Sequence, residues 1–329
     1  MAIHKIRIGI FGAAGYAGGE LLRILLRHPH AAVSFAHSKS QAGKPLYAAH
    51  PDLMGETAMS FTGEMPFVNG GPEGNLDVIF LCMGHGESRV FLEENRFEGV
   101  RIIDLSHDFR DGSNGFVYGL PELQREKIGG ATHVANPGCF ATAIELALLP
   151  LAKAGRLQTD VHVSAVTGST GAGQSLSATT HFSWRSGNIS VYKAFTHQHL
   201  KEIKQSLKAL QPGFAAGIRF IPYRGNFTRG ILASCYTTSD LSLEEAQGLY
   251  TRYYAAHPFT HLSPVEVDVK QVLNTNKCLL HLEKHDDQLL VTSVIDNLTK
   301  GAAGQAVQNM NLLFGLDEET GLKLKSVGF

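Results

Sequence analysis

Over roughly the first 150 residues, short apolar runs alternate with helical patterns, and this alternation restricts the chain to a parallel sheet flanked by helices. Ile6 to Phe11 reads as the first strand and Gly12 to Gly18 as a turn. Leu21, Leu22, Leu25 and Leu26 then form one face of a helix that His28-Pro29 ends. Further strands fit Ala32 to Ala36, Asp77 to Met83, Val100 to Leu105 and Thr132 to Ala135. Each is followed by a polar or glycine-rich segment: Ser38 to Ser40, Gly84 to Ser88, Ser106 to Arg110, and Asn136 to Cys139. In a doubly wound sheet the ligand crevice lies outside the carboxyl ends of the strands, so these segments are expected to converge on one site.

The first turn is a GxxGxxG variant. Gly12 permits the tight turn, Gly15 lets the backbone approach a pyrophosphate, and Gly18 lets the helix pack closely on the sheet. An ordinary tight turn has the same composition. The position between a strand and an amphipathic helix favours a dinucleotide, with Ala14, Tyr16 and Ala17 in the turn and Gly84 after the third strand as further cofactor contacts. An acidic residue after the second strand would bind a free 2'-hydroxyl. This chain instead has Ser38-Lys39-Ser40, so NADP(H) is expected over NAD, although Lys39 read alone is a solvated surface lysine.

Asn136-Pro137-Gly138-Cys139 places a thiol at a helix start. Asn136 suits an N-cap and Pro137 the first helical position, while Phe140, Ile144, Ala147 and Leu148 supply the buried face of a helix running to about Ala154. Unpaired N–H groups and the helix dipole stabilise negative charge on a first-turn sulfur and on an oxyanion beside it. The competing reading of Cys139 is a small buried hydrophobe.

From about Gly155 the texture changes to longer, partly alternating strands: Asp160 to Val166, Gly217 to Pro222, Arg229 to Thr237 and Leu289 to Ile295. The expected fold class is therefore α/β, a Rossmann domain joined to an α+β domain with a mainly antiparallel sheet. Three groups here could serve the thiol. His197 and His199 precede a helical stretch containing Glu202, Ser169 to Gly173 is a glycine-rich loop, and Arg185, Arg219, Arg224 and Arg229 could hold an anionic substrate. One histidine near Cys139 would complete a nucleophile and acid/base pair. The His-x-His pair lacks further ligands at close spacing, so no metal is expected.

Composition narrows the setting. The 329 residues are 43% hydrophobic with 35 glycines, enough for one large or two ordinary domains, and a net charge of -1 gives no basic field for nucleic acid or an anionic membrane. Cys82, Cys139, Cys235 and Cys278 are widely spaced, which argues for reduced thiols rather than a disulfide framework or zinc site. The opening residues enter a strand without a signal-type apolar region, and the apolar stretch Ala143 to Ala152 carries Glu145 and Pro150. A cytoplasmic location is expected.

The terminal run SVIDNLTKGAAGQAVQNMNLLFG, with GAAGYAGGELLRIL, AGK at Ala42 to Lys44, DLSHDFR from Asp104, YGLPEL from Tyr118, ANPGCFATA from Ala135, HQHLKEI from His197 and TRGIL from Thr228, resembles the N-acyl-gamma-glutamyl-phosphate reductase family of arginine biosynthesis over essentially the whole chain. The resemblance implies an NADP-binding Rossmann domain at 1–138 and 300–329, completed by a returning C-terminal helix, and a catalytic and oligomerisation domain at 139–299. It implies NADPH-dependent reduction of an N-acetyl-gamma-glutamyl phosphate to the semialdehyde by a homo-oligomer, dimer or tetramer. Cys139 matches the family nucleophile and His199 its acid/base. Arg110, Asn136, Arg229, His197 and Glu202 fall at substrate-contacting positions, and Ser169, Gly171, Asn297 and Gly301 at cofactor positions.

The chain departs from the family in two places. It reads PYRGNFTRG where many relatives read PHLVPMTRG, and SWRSGN after His181-Phe182 where relatives are more acidic, which leaves an N-succinyl substrate as an alternative to N-acetyl. Aspartate-semialdehyde dehydrogenase shares the expected fold and cysteine chemistry, but YGLPEL and the terminal run favour the glutamyl relative. A short-chain dehydrogenase would need Tyr-x-x-x-Lys, and no tyrosine here has lysine four residues on. A non-enzymatic NADP sensor would leave Cys139 and His199 incidental.

Overall fold

The computed structural model describes residues 5–64 and 76–327, which form two compact units. The first gathers Met1–Leu120, Gln124–Pro137 and Ala302–Lys323. Its strands β1 (Ile6–Phe11), β2 (Ala31–His37), β3 (Val78–Leu81), β4 (Arg101–Asp104), β5 (Val117–Tyr118) and β6 (His133–Ala135) make one sheet in the order β2-β1-β3-β4-β6-β5, with every pair parallel. Helices α1 (Tyr16–Leu25) and α2 (Glu87–Glu94) follow β1 and β3. Phe11, Phe35, Ile79, Leu81, Ile102 and Phe109 belong to one buried cluster against this sheet. The two-residue strand β5 is too short for a periodicity and was not anticipated.

The second unit comprises Pro121–Leu123, Gly138–Gly301 and Leu324–Phe329. Helix α3 (Pro121–Gly129) contributes its first three residues to it, and α4 (Cys139–Lys153) lies wholly within it. A seven-stranded sheet follows, built from β7 (Val161–Thr167), β8 (Ser190–Val191), β9 (Ile218–Arg224), β10 (Ile231–Thr238), β11 (Thr260–Leu262), β12 (Cys278–His285) and β13 (Gln288–Ile295). Its order is β11-β12-β13-β10-β7-β9-β8. The outer pair β11-β12 and the pair β7-β9 are parallel and the other neighbours antiparallel. The strongly alternating burial of β7, β9 and β10 reflects one face packed under helices and the other open.

Helix α4 is buried on all sides from Phe140 to Ala152, which explains why its sequence shows little amphipathic period. Pro150 within it has no N–H to give to the Leu146 carbonyl four residues back. The Tyr254 hydroxyl, from α7 (Leu243–Tyr254), donates to that carbonyl instead, and Tyr250 donates to Ala147. Two shorter helices, α5 (Phe182–Arg185) and α6 (Leu200–Leu210), complete this unit, with α6 against α4. One π turn, Thr299–Ala303, leads into a C-terminal helix, Gly304–Leu313, which packs on α1 of the first unit, as expected of a returning helix. Among the described residues no helix is long and apolar enough to cross a membrane.

Lys300 and Glu122 are both fully buried in the second unit and meet at 2.8 Å. Burial alone would raise the Glu122 carboxyl; Lys300, with His257, outweighs it and holds the group below the usual carboxylate range. Thr260 donates to the same carboxylate. This pair fixes the start of α3 to the chain that leads into the π turn. Nothing in the spacing of YGLPEL and NLTKG relates two residues that lie 178 positions apart.

Candidate active site

In the first unit, β1 ends at Phe11 and Gly12 turns the chain with φ +72°, its hydrogen in place of a Cβ that would lie 2.3 Å from the Cys82 carbonyl oxygen. Gly15 is the N-cap of α1, with no side-chain cap and no acidic residue in the first turn. A Cβ there would meet only the Gly12 oxygen at 3.5 Å, whereas at Gly18 it would strike Ala13 backbone at 2.6 Å. Ala14, Tyr16 and Ala17 complete this exposed helix start, with Tyr16 37% accessible. Ser38 and Lys39 follow β2 directly, and Gly84 lies in the loop after β3, its N–H donating to Glu87. An uncapped helix N-terminus with room over Gly15, and a hydroxyl and an amine rather than a carboxylate after β2, fit the diphosphate and 2'-phosphate of NADP.

The loop after β4 is held by Arg110, whose Nε donates to the Asn136 carbonyl at 2.9 Å and whose Nη2 donates to the Leu105 carbonyl at 3.2 Å. Asn136 is 1% exposed. Its amide donates to the Ala302 carbonyl and accepts from Asn309. The sequence placed Asn136 as N-cap and Pro137 at the first helical position. The structure moves the cap to Gly138, so that Cys139 itself is the first helical residue, because the Asn136 side chain is held by these C-terminal partners and does not reach forward to the helix N–H groups.

In the second unit, Cys139 starts α4, again with no side-chain cap and no first-turn acid in α4 itself. Glu202, on the first turn of α6 and 5% exposed, accepts from the Gly138 N–H at 3.0 Å through one oxygen, and its other oxygen lies 3.9 Å from His199 Nε2. One carboxylate thus links the residue before the thiol to the second histidine of His-x-His. His197 is buried with its ring edge-on to Phe140, 5.5 Å between centroids, and its Nδ1 accepts the His199 N–H. Burial first, then Lys193 and Arg224, lower the His197 imidazole to about 4, so it is neutral at pH 7. A neutral ring fixed through Nδ1 suits a positioning role and cannot act there as a general acid.

Gly301 packs directly on Cys139: a Cβ would lie 2.8 Å from the Cys139 Cβ. Asn297 accepts from the Gly230 N–H and donates to Thr170, beside Ser169 and Gly171 in the loop after β7. Arg229 is engaged bidentately with Asp296, whose carboxylate is fully buried and also takes the Leu298 and Thr299 N–H groups. Arg219 pairs with Asp160. Among the described residues no cluster of His, Cys, Asp or Glu could hold a metal.

Tyr192 was not anticipated by any motif or spacing. Burial pushes its hydroxyl up to about 12, with the Cys139 sulfur adding to the shift, so it remains protonated beside the thiol. It lies just after β8, followed by Lys193 and Phe195 at φ +48° and +60°, two non-glycine residues in the left-handed region within the short segment leading to His197. Strain of that kind persists where surrounding packing enforces it and is commonest at functional sites.

A parallel Rossmann sheet followed by a mixed sheet whose first helix opens on a thiol is the arrangement of a semialdehyde dehydrogenase-type protein. The sequence profile described as "Semialdehyde dehydrogenase, NAD binding domain" matches residues 7–131, and "Semialdehyde dehydrogenase, dimerisation domain" matches 139–297. Among solved structures, aspartate semialdehyde dehydrogenase II from Vibrio cholerae, complexed with ASA, superposes with a TM-score of 0.70 over 95% of this chain and 99% of that chain at 18% identity, a likeness of fold. Two curated proteins named N-acetyl-gamma-glutamyl-phosphate reductase are nearer. That of Christiangramia forsetii is 57% identical over 98% of this chain and 99% of its own length, and that of Parabacteroides distasonis 54% over 98% and 100%. The chain belongs to the N-acetyl-gamma-glutamyl-phosphate reductase family.

Proposed function

We propose that this protein reduces N-acetyl-gamma-glutamyl phosphate to N-acetyl-glutamate 5-semialdehyde with NADPH, through a thioester on Cys139, as a step of arginine biosynthesis. The observation that carries the reading is the Glu202 carboxylate, which ties the helix start bearing the thiol to His199. His199 takes the Cys139 thiol proton, the thiolate attacks the acyl carbonyl, a C–S bond forms, the bond from carbon to the phosphate oxygen breaks, and inorganic phosphate leaves. First-turn N–H groups of α4 stabilise the oxyanion of this addition. When bound, NADPH supplies the hydride that reduces the thioester carbon. As the carbonyl re-forms, the C–S bond breaks, the aldehyde departs, and His199 delivers a proton to the sulfur, restoring the thiol. Glu202 faces His199 Nε2 at 3.9 Å, and neutral His197 accepts the His199 backbone N–H through its Nδ1.

Arg110, in the loop after β4, is assigned to the acyl phosphate, while Gly12 to Ala17, Ser38 and Lys39 hold the dinucleotide. Arg229, engaged bidentately by Asp296, is assigned a supporting role beside the substrate. The enzyme is assigned to the cytoplasm, and a homo-oligomer, dimer or tetramer, accords with the dimerisation-domain match. The aspartyl reading has only the shared fold behind it.

The reaction is best run in reverse, because acyl phosphates are labile. NADP reduction by N-acetyl-glutamate semialdehyde should require both inorganic phosphate and Cys139. Turnover with aspartate semialdehyde and none with the glutamate compound would sink the assignment.

A further inference from the structure

The segments SWRSGN and PYRGN come together in the second unit. Arg185, from SWRSGN, is 6% exposed and donates to the Arg224 carbonyl, in PYRGN, at 2.6 Å, and also to the Asn188 and Thr179 carbonyls and to Ser190. The Asn226 amide, in its better orientation, bonds the Arg185 carbonyl and the Gly187 N–H. These contacts hold the last residue of β9 in a set place, between Thr167 of β7 and Ser190 of β8.

The Arg224 guanidinium lies over the Tyr192 ring, 4.6 Å from its centroid, and its buried Nε has no hydrogen-bond partner among the described residues. Of the four arginines that the sequence offers for an anionic substrate, Arg219 and Arg229 are paired with carboxylates and Arg185 with carbonyl oxygens. Arg224 has no carboxylate within ion-pair distance among the described residues, and its charge is felt at His197 and at Tyr192, the latter beside the Cys139 sulfur. A buried guanidinium nitrogen without an acceptor is costly unless a ligand supplies one. The Tyr192 ring that carries the guanidinium meets the His197 ring edge-on, 5.7 Å between centroids, so Arg224 borders the histidine pair, a place suited to the far end of a substrate whose acyl carbon is on Cys139.

Resting on the activity proposed above, we infer that Arg224 is a specificity-determining residue that binds a carboxylate of the substrate. That carboxylate is either the one on the amino-acid carbon or one at the end of a dicarboxylic N-acyl group. Both present the same planar acceptor to the guanidinium fork.

The test is the reverse reaction with N-acetyl- and N-succinyl-glutamate semialdehyde, using the wild type, Arg224→Leu, Arg224→Gln and Arg224→Lys, each checked for an unchanged melting temperature. Removing the guanidinium should raise KM for the semialdehyde at least about tenfold, with KM for phosphate and NADP unchanged and partial recovery in Arg224→Lys. An equal loss on both substrates supports the inference and identifies the amino-acid carboxylate. A loss confined to the succinyl compound supports it and identifies the acyl terminus. Unchanged semialdehyde KM in both folded variants, or a shift in KM for phosphate instead, overturns it. A wild type silent with both substrates removes the underlying activity and is told apart by that silence.

Discussion

The helices beginning at Tyr16 and at Cys139 start alike and end up with different work. Each follows a parallel strand through a glycine, Gly15 or Gly138, and neither has a side-chain cap or an acid in its own first turn. Helix α7, by contrast, is closed at its start by the Ser242 and Glu245 capping box. What separates the first two is what reaches them from elsewhere. Open space lies over Gly15, which suits a ligand anion, while Glu202 approaches the Gly138 N–H and Gly301 presses on Cys139, which makes a fixed reaction centre. In the proposed mechanism the same local signal serves binding in one unit and covalent chemistry in the other, and distant residues decide which.

The contrast can be broken most severely at the sulfur. Cys139→Ser should lower kcat by roughly 10⁴-fold, since a serine hydroxyl is hardly ionised near neutral pH and an alkoxide is a poorer leaving group than a thiolate, while NADP binding followed by fluorescence titration stays unchanged. Gly301→Ala comes next: the added methyl must displace the nucleophile, so kcat should fall about 10²-fold with the NADPH KM little altered, and an unaffected kcat would show that the close approach has no catalytic consequence. Glu202→Gln keeps an acceptor for the Gly138 N–H but loses the charge facing His199. A drop in kcat of about tenfold is expected, with melting temperature held within a few degrees. At the other helix start, Gly15→Ala adds a methyl that within the chain meets only the Gly12 oxygen, at an ordinary 3.5 Å, so the NADPH KM should rise about fivefold at constant kcat and stability.

The smallest effect is on stability in acid. His197 sits at about 4 in the folded protein against 6.5 for an ordinary histidine. Above pH 7 the ring is neutral in both states and contributes nothing to the pH dependence. As pH falls through 6.5 toward 4 the unfolded chain takes a proton that the folded one refuses, and stability declines by on the order of 2 kcal/mol after solvent screening. His197→Asn should flatten the fall in melting temperature over that window; an identical curve would mean the ring is accessible to protonation.

Much of this was legible in the sequence, for local reasons. The parallel strands of the first unit are short apolar runs ended by glycine or polar residues, and their order along the chain is their signal; β1 begins and ends where the pattern places it. The thiol at a helix start was equally visible, though its cap lay two residues further on, because the Asn136 side chain answers to Asn309 and Ala302 rather than to the helix. Non-local pairings were not legible. Lys300 with Glu122, Arg229 with Asp296, and Arg224 over Tyr192 join residues whose separation carries no periodicity, and an arginine in a motif looks the same whether a carboxylate of the chain or of a ligand will meet it.

The covalent step is tested most directly by mixing the enzyme with N-acetyl-gamma-glutamyl phosphate in the absence of NADPH and following released phosphate together with the mass of the peptide bearing Cys139. A burst of one phosphate per active site, above the background of spontaneous hydrolysis, with an acyl adduct on that peptide and neither in Cys139→Ser, is the expected result. Phosphate release without an adduct, or an adduct that survives the substitution, would contradict the thioester and with it the role given to the second helix start.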